Sequence, residues 1–189
     1  MRTLILHPTT TAQWHALLTE AQQSSAIYLK EDLESYLVFL LMRFTGEPEI
    51  ASSILGLDFL HGYQRLENPQ QYYQLKDVGD KCLLFAGLFP GRAIKKRVKL
   101  SYFVKLGQTA YSTLSNYLST QEELFFKLCY EFPKLMDVLQ AMRENSHSAV
   151  DLLQSLELWH ETGSSLSWQR LCEATSALPI IPDPNKSVH

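Results

Sequence analysis

The sequence predicts an all-α fold, a single-domain bundle of about seven or eight helices with a proline-rich C-terminal tail. Apolar residues recur at a spacing near 3.6 along most of the chain, which is the period of one helix face. Capping residues, prolines and glycines separate these stretches. Because the 189-residue chain shows no fixed-period repeat and no low-complexity linker, we expect one helical domain over residues 1–177 and a tail over residues 178–189.

Four helices are predicted in the first half of the chain. Their apolar faces cover residues 12–21, 30–45, 48–61 and 69–89. The first turn of the second helix holds Glu31, Asp32 and Glu34, whose charges suit the positive end of the helix dipole, and Gly46 ends that helix. Pro69 takes the first position of the fourth helix, where its missing N–H group costs no hydrogen bond.

A fifth helix, over residues 101–118, is predicted to pack closely against the helix over residues 69–89. Each of them carries small side chains on one face, which lets two backbones approach each other. These small residues are Gly79, Ala86, Gly107 and Ala110. Residues 98–104 also alternate between apolar and polar, so a short strand stays an alternative for that stretch.

The last third of the chain contains the remaining helices. Thr120-x-x-Glu123 has the pattern of a capping box at a helix start. Pro133 interrupts the apolar stripe that follows, which fits either one kinked helix or two consecutive helices. The next helix is expected to end at Gly163, and a short one over residues 167–176 precedes the tail, whose prolines exclude a helix.

Cysteine usage and hydropathy predict a cytoplasmic protein with no membrane segment. The three cysteines lie more than 40 residues apart and form no CxxC motif, which favours free thiols over disulfides or zinc ligands. They are Cys82, Cys129 and Cys172. The N-terminal apolar run is too short for a signal peptide. Residues 36–42 form the longest apolar run, far below the roughly 20 residues that span a bilayer.

Charge is segregated along the chain although the formal net charge is only −3. Residues 1–62 carry three basic and seven acidic residues, net −4, and residues 63–110 carry nine basic and three acidic residues, net +6. The remaining residues, 111–189, carry five basic and ten acidic residues, net −5. The chain therefore has a basic middle between two acidic flanks.

Most of the basic residues in the middle fall in one segment, residues 92–105, which contains no acid. The segment has three interpretations. It can pair with the acidic flanks or form a solvated face; it can bind an acidic protein or a second copy of the chain; or it can bind nucleic acid through phosphate contacts, with Tyr102 and Phe103 stacking on a base. A sequence pI near 6.1 argues against nucleic acid, because dedicated nucleic-acid binders are usually basic overall.

The usual catalytic signatures are missing. The chain contains no GxxxxGK[ST], GxGxxG, GxSxG or HExxH motif. Glu157-x-x-His160 has the spacing of a metal-binding pair, but a di-iron bundle also needs further inward carboxylates, so we interpret it as a surface or capping pair. No cofactor or metal is expected, and whether the chain is an enzyme stays open.

Asp77-x-x-Asp80 places two carboxylates one helical turn apart, an arrangement that can hold Mg²⁺ or serve acid–base chemistry. Lys76 and Lys81 flank the pair and favour local ion pairing instead. Asp80 neighbours Gly79, where close packing is expected, so it is a candidate buried charge. Three tyrosines on or near the helix over 101–118 are interpreted as core residues, each with one satisfied hydroxyl. They are Tyr102, Tyr111 and Tyr117.

The strings GDKCLLFAGLFP (79–90) and SYFVKLGQTAY (101–111) resemble stretches of an uncharacterised bacterial family of all-helical proteins. The resemblance implies a bacterial cytoplasmic protein and falls on the two helices that flank the basic segment. It carries no activity, cofactor or catalytic residue.

We therefore expect a non-enzymatic interaction or regulatory module whose partner is a second copy, as a homodimer, or an acidic protein. One alternative is a small-ligand-binding protein or enzyme with its site between the helices over 69–89 and 101–118. A further alternative is nucleic-acid binding through residues 92–105. The candidate ligand- or partner-binding residues are Asp80, Arg92, Lys95, Lys96, Arg97, Tyr102 and Lys105.

Overall fold

The computed structural model describes residues 9–46, 69–90, 99–117, 120–144 and 152–174. Within these ranges the chain forms helices and no strands, which confirms the predicted all-α bundle. The eight described helices are α1 (Thr10–Ser25), α2 (Glu31–Gly46), α3 (Pro69–Leu88), α4 (Leu100–Tyr117), α5 (Glu122–Tyr130), α6 (Phe132–Glu144), α7 (Leu152–Thr162) and α8 (Ser165–Ala174). The helix predicted over 48–61 and the proline-rich tail lie outside the described residues. None of the described helices is both long and apolar enough to cross a bilayer.

An antiparallel pair, α3 and α4, forms the centre of the bundle. The rings of Phe85 and Phe103 stack with their centroids 5.5 Å apart near one end of the pair, and Gly79 lies against Tyr111 near its middle. The first residues of α4 are helical, so the strand alternative does not apply from residue 100 onwards. Helices α5 and α7 pack on α4, and α6 packs on α3.

The glycines of the central pair make room for aromatic rings. A Cβ atom at Gly79 would lie 2.5 Å from the Tyr111 ring, and one at Gly107 would lie 2.5 Å from the ring of Phe132 on α6. Gly107 also faces Cys82 on α3, whose Cβ atom would lie 2.9 Å from the added carbon. Close packing is confirmed at the two predicted glycines, Gly79 and Gly107, each of which admits a ring from a neighbouring helix. Ala86 and Ala110 are fully buried.

The predicted capping box at the start of α5 is wrong. The helix begins at Glu122 after the N-cap residue Gln121, and the Gln121 side chain makes no capping hydrogen bond. Its Oε1 atom instead accepts a hydrogen bond of 2.7 Å from the hydroxyl of Tyr72 on α3, which ties the start of α5 to the central pair. Of the two arrangements considered around Pro133, the structure has two helices, separated at Glu131.

Helix α8 begins against a buried carboxylate, Asp137 on α6, which has no exposed surface. Asp137 accepts hydrogen bonds from the hydroxyl of Ser164 at 2.6 Å and from the backbone N–H of Leu166 at 3.2 Å. The Ser164 hydroxyl oxygen in turn accepts from the N–H of Ser167, as an N-cap does. Burial raises the pKa of Asp137 to about 6, although its hydrogen bonds act in the opposite direction.

We expect Asp137→Asn to change the pH dependence of stability between pH 4 and 7. Because the pKa of Asp137 lies above its ordinary value of 3.8 in the folded chain, folding is favoured while the carboxyl stays protonated, and this contribution is lost as the pH rises through about 6. Urea unfolding from pH 4 to 7 should show the wild type losing about 2 to 3 kcal/mol more than the variant. Identical slopes for the two proteins would contradict this assignment.

Candidate functional site

Asp80 on α3 is the centre of a buried polar cluster where α2, α3 and α4 meet. Its side chain is 2% exposed and accepts hydrogen bonds from the hydroxyls of Tyr36 on α2 and Tyr111 on α4, the latter at 2.8 Å. The Lys76 ammonium, one turn earlier on α3, lies 2.7 Å from Asp80, and the Arg43 guanidinium lies 3.5 Å away. Three helices and two cations therefore meet at one carboxylate.

Electrostatics keep both tyrosines of the Asp80 cluster protonated. Burial, followed by the nearby charge of Asp80, raises the pKa of Tyr36 and of Tyr111 well above the ordinary 10. Each hydroxyl therefore acts as a hydrogen-bond donor to the carboxylate. The Lys76 ammonium also lies 5.1 Å from the centre of the Tyr36 ring, a cation–π distance that fixes the lysine over the cluster.

Asp77 lies at the surface edge of the cluster, beside an open groove of about 430 Å³ between α2 and α3. It pairs with Lys81 at 2.6 Å and with Arg43, so the predicted ion pairing around Asp77 and Asp80 is confirmed. Cations already occupy these carboxylates, which disfavours Mg²⁺ between them. In the described ranges, no three His, Cys, Asp or Glu side chains are grouped as a metal site would require. The groove residues are Arg43, Tyr73, Gln74, Lys76 and Asp77.

The described part of the basic segment pairs with the acidic C-terminal flank. Lys99 lies 2.8 Å from Glu157 on α7, and Lys105 lies 3.2 Å from Glu161 on the same helix. A hydrogen bond from Ser101 and the lysine charges lower the pKa of Glu161. The Glu157 side chain of the Glu157-x-x-His160 motif therefore contacts a lysine. The candidates at 92 and 95–97 lie outside the described residues.

The remaining sequence candidates do not gather around Asp80. Asp80 contacts side chains of α2 and α4, whereas Lys105 contacts α7, so these two candidates have separate partners. Tyr111 is a core residue with a satisfied hydroxyl, as predicted. The same interpretation is wrong for Tyr102 and Tyr117, which are exposed, because each projects from the side of α4 that faces solvent.

A second candidate site lies on α5 and was missed in the sequence. Phe126 and Tyr130, one turn apart, are 60% and 73% exposed, and their rings lie 6.4 Å apart with only 6° between their planes. Beside them is a groove of about 520 Å³ lined by Thr120, Glu122, Glu123 and Phe126. We call Phe126, Tyr130 and this groove the α5 surface. Two aromatic residues four positions apart, off the leucine stripe of α5, are the signal that could have identified it.

Charged side chains border the α5 surface. Lys127 lies 2.8 Å from Asp32 on α2 and 2.6 Å from Glu123, so one ammonium group forms ion pairs with two carboxylates. Glu122 adds a third carboxylate to the same area. Three carboxylates against one ammonium leave a net charge of −2 beside two exposed rings.

The two sites therefore differ in chemistry: the Asp80 cluster is buried with its charges paired, and the α5 surface combines two exposed aromatic rings with exposed carboxylates. No family model, curated protein or solved structure matches the chain.

Proposed function

We propose that this protein is a non-enzymatic interaction module that binds a protein partner through the α5 surface. The observation that carries the proposal is the pair of exposed, parallel rings of Phe126 and Tyr130 beside an open groove. Single exposed aromatic residues are ordinary, but two exposed rings side by side at a groove form a contiguous apolar patch of the kind that marks interaction sites. Aromatic residues are also enriched in the energetically dominant part of interfaces.

Two physical features suit the α5 surface to binding. Stacking restrains the two rings before a partner arrives, so little side-chain entropy is lost on association. The surplus negative charge around Glu122 and Glu123 adds selectivity for a partner of positive charge. A regulatory role in the bacterial cytoplasm is part of the proposal, and the resemblance of residues 79–90 and 101–111 supports that setting.

The test is a native mass measurement on protein purified from its own host. We expect a complex with the wild type, and at least a tenfold weaker one, by the order of magnitude of hot-spot losses, with the double variant Phe126→Ser and Tyr130→Ser. The matched control is Tyr28→Ser with Phe39→Ser, since these side chains are 74% and 64% exposed and lie outside the α5 groove. A complex that both double variants retain, or a wild type that carries no partner in its host, would refute the proposal.

A small-ligand-binding role is the second candidate, favoured by the groove that borders the buried Asp80 cluster. A ligand there would contact Lys76 and Tyr73, with Asp80 beneath them. The same native mass measurement would show it as a small mass retained by the wild type and lost in Lys76→Met.

A further inference from the structure

We infer that the partner of the α5 surface is the basic segment, residues 91–98, of a second copy of this chain. This inference rests on the proposed function and names its partner. It predicts a symmetric dimer in which each copy gives one segment and one surface, so that the contact is made twice.

Charge complementarity is the first argument. The segment reads GRAIKKRV and contains four cations and no acid. Glu122 and Glu123 line the groove of the α5 surface, and Asp32 and Lys127 border it, so three carboxylates there face one ammonium group. A segment of charge +4 thus meets a surface of charge −2, with the remaining cations near solvent.

The apolar content of both partners is the second argument. Arginine guanidinium groups stack on aromatic faces, and the segment carries arginines at both ends of its cationic run, Arg92 and Arg97. Ile94 and Val98 give it aliphatic side chains that can cover the rings of Phe126 and Tyr130. Aliphatic side chains would gain little against a purely polar surface, whereas against exposed aromatic rings they bury apolar area.

The distance along α4 is the third argument, since it prevents a copy from using its own segment. The segment joins Pro90 to Lys99 at the N-terminal end of α4, whereas the groove with Glu122 follows the C-terminal end. Helix α4 has 18 residues, which is about 27 Å at 1.5 Å per residue. Eight residues that must leave and return extend at most about 14 Å from their ends. Helix α5 runs back along α4, since Gln108 donates a hydrogen bond to the carbonyl of Cys129, so it is the groove end at Glu122 and Glu123 that lies beyond the reach of a copy's own segment. A second copy can bring its segment to that end.

Charge exchange between two variants tests the inference. Variant one carries Glu122→Lys and Glu123→Lys, and variant two carries Lys95→Glu and Lys96→Glu. Each alone should dimerise at least about tenfold more weakly than the wild type in analytical ultracentrifugation, because like charges then face each other in both contacts. An equimolar mixture should regain dimers to within about threefold, since each contact then joins opposite charges.

The matched control is Glu20→Lys with Glu173→Lys, which makes the same change in net charge at exposed positions outside the α5 groove and should dimerise like the wild type. Circular dichroism on every variant verifies the fold. Dimers of the wild type should weaken in 1 M salt, where the screening length falls to about 3 Å.

Three outcomes would overturn the inference. The wild type stays monomeric, or both charge-reversed variants dimerise as strongly as the wild type, or their equimolar mixture stays monomeric. A monomer whose host complex still depends on Phe126 and Tyr130 would overturn the inference alone and leave the proposed function standing. A host complex that is retained when Phe126 and Tyr130 are replaced by serine would contradict the proposed function as well.

Discussion

Replacing Asp80 with alanine is expected to lower the free energy of unfolding by about 3 to 5 kcal/mol, because two buried tyrosine hydroxyls lose their shared acceptor. The carboxylate is the common acceptor for the hydroxyls of Tyr36 and Tyr111, and it balances the charge of Lys76. In Asp80→Ala the buried Tyr111 hydroxyl loses this acceptor, and a cavity opens among three helices. Both effects act only in the folded state, so they subtract directly from stability.

The comparison that isolates burial is Asp77→Ala on the same helix. Asp77 also pairs with a lysine and with Arg43, but its side chain is 25% exposed, so water can replace the lost partners. We expect a loss of about 1 kcal/mol or less. Urea unfolding followed by circular dichroism measures both variants, and Asp80→Asn, which keeps one acceptor oxygen, should fall between them. Equal losses at Asp80 and Asp77 would show that the buried network does not stabilise the fold.

The contacts of Asp80 also show how far a sequence can predict such a cluster. The pair with Lys76 follows from their four-residue spacing on a helix, so it could be predicted. Tyr36 lies 44 residues from Asp80, and its contact depends on how α2 packs across α3. Hydrophobic periodicity predicts that each helix has a buried face, but it does not specify which helix covers which part of that face.

The segregation of charge along the sequence indicates which regions of the chain can pair, but not which residues do. Pairing between the basic middle and the acidic flanks was one of the interpretations that the sequence left open, and the pair Lys99–Glu157 is of that kind. Charge segregation could not predict the individual partners, because long charged side chains reach any opposite charge within several ångströms. The exposed rings on α5 could not be identified for a related reason: a leucine stripe predicts which face of a helix is buried, but it does not predict which residues of the opposite face form a binding surface.

Replacing Gly107 with leucine is expected to lower the free energy of unfolding by at least about 3 kcal/mol, which is the upper part of the range for an overpacked core. Leucine is the better helix former by nearly 1 kcal/mol, so an isolated helix would be stabilised and the loss must come from packing. The added Cβ atom would lie 2.5 Å from the Phe132 ring and 2.9 Å from the Cβ atom of Cys82, which α3 holds in place. The Cβ atom of Cys82 moves only with α3, and the ring of Phe132 is fully buried, so it can turn aside only by displacing other core side chains.

Two further variants separate this packing cost from other effects of the substitution. Asn116→Leu, at an exposed position of α4, should change stability by no more than about 0.5 kcal/mol, as surface substitutions do. Phe132→Leu combined with Gly107→Leu removes the ring that the new side chain meets, so the double variant should be more stable than the sum of the two single losses predicts. Thermal and urea unfolding measure the wild type, Asn116→Leu, the two single variants at positions 107 and 132, and the double variant. Additive losses in the double variant would mean that the ring of Phe132 does not limit the space at Gly107, and the cost would then lie at Cys82 on α3.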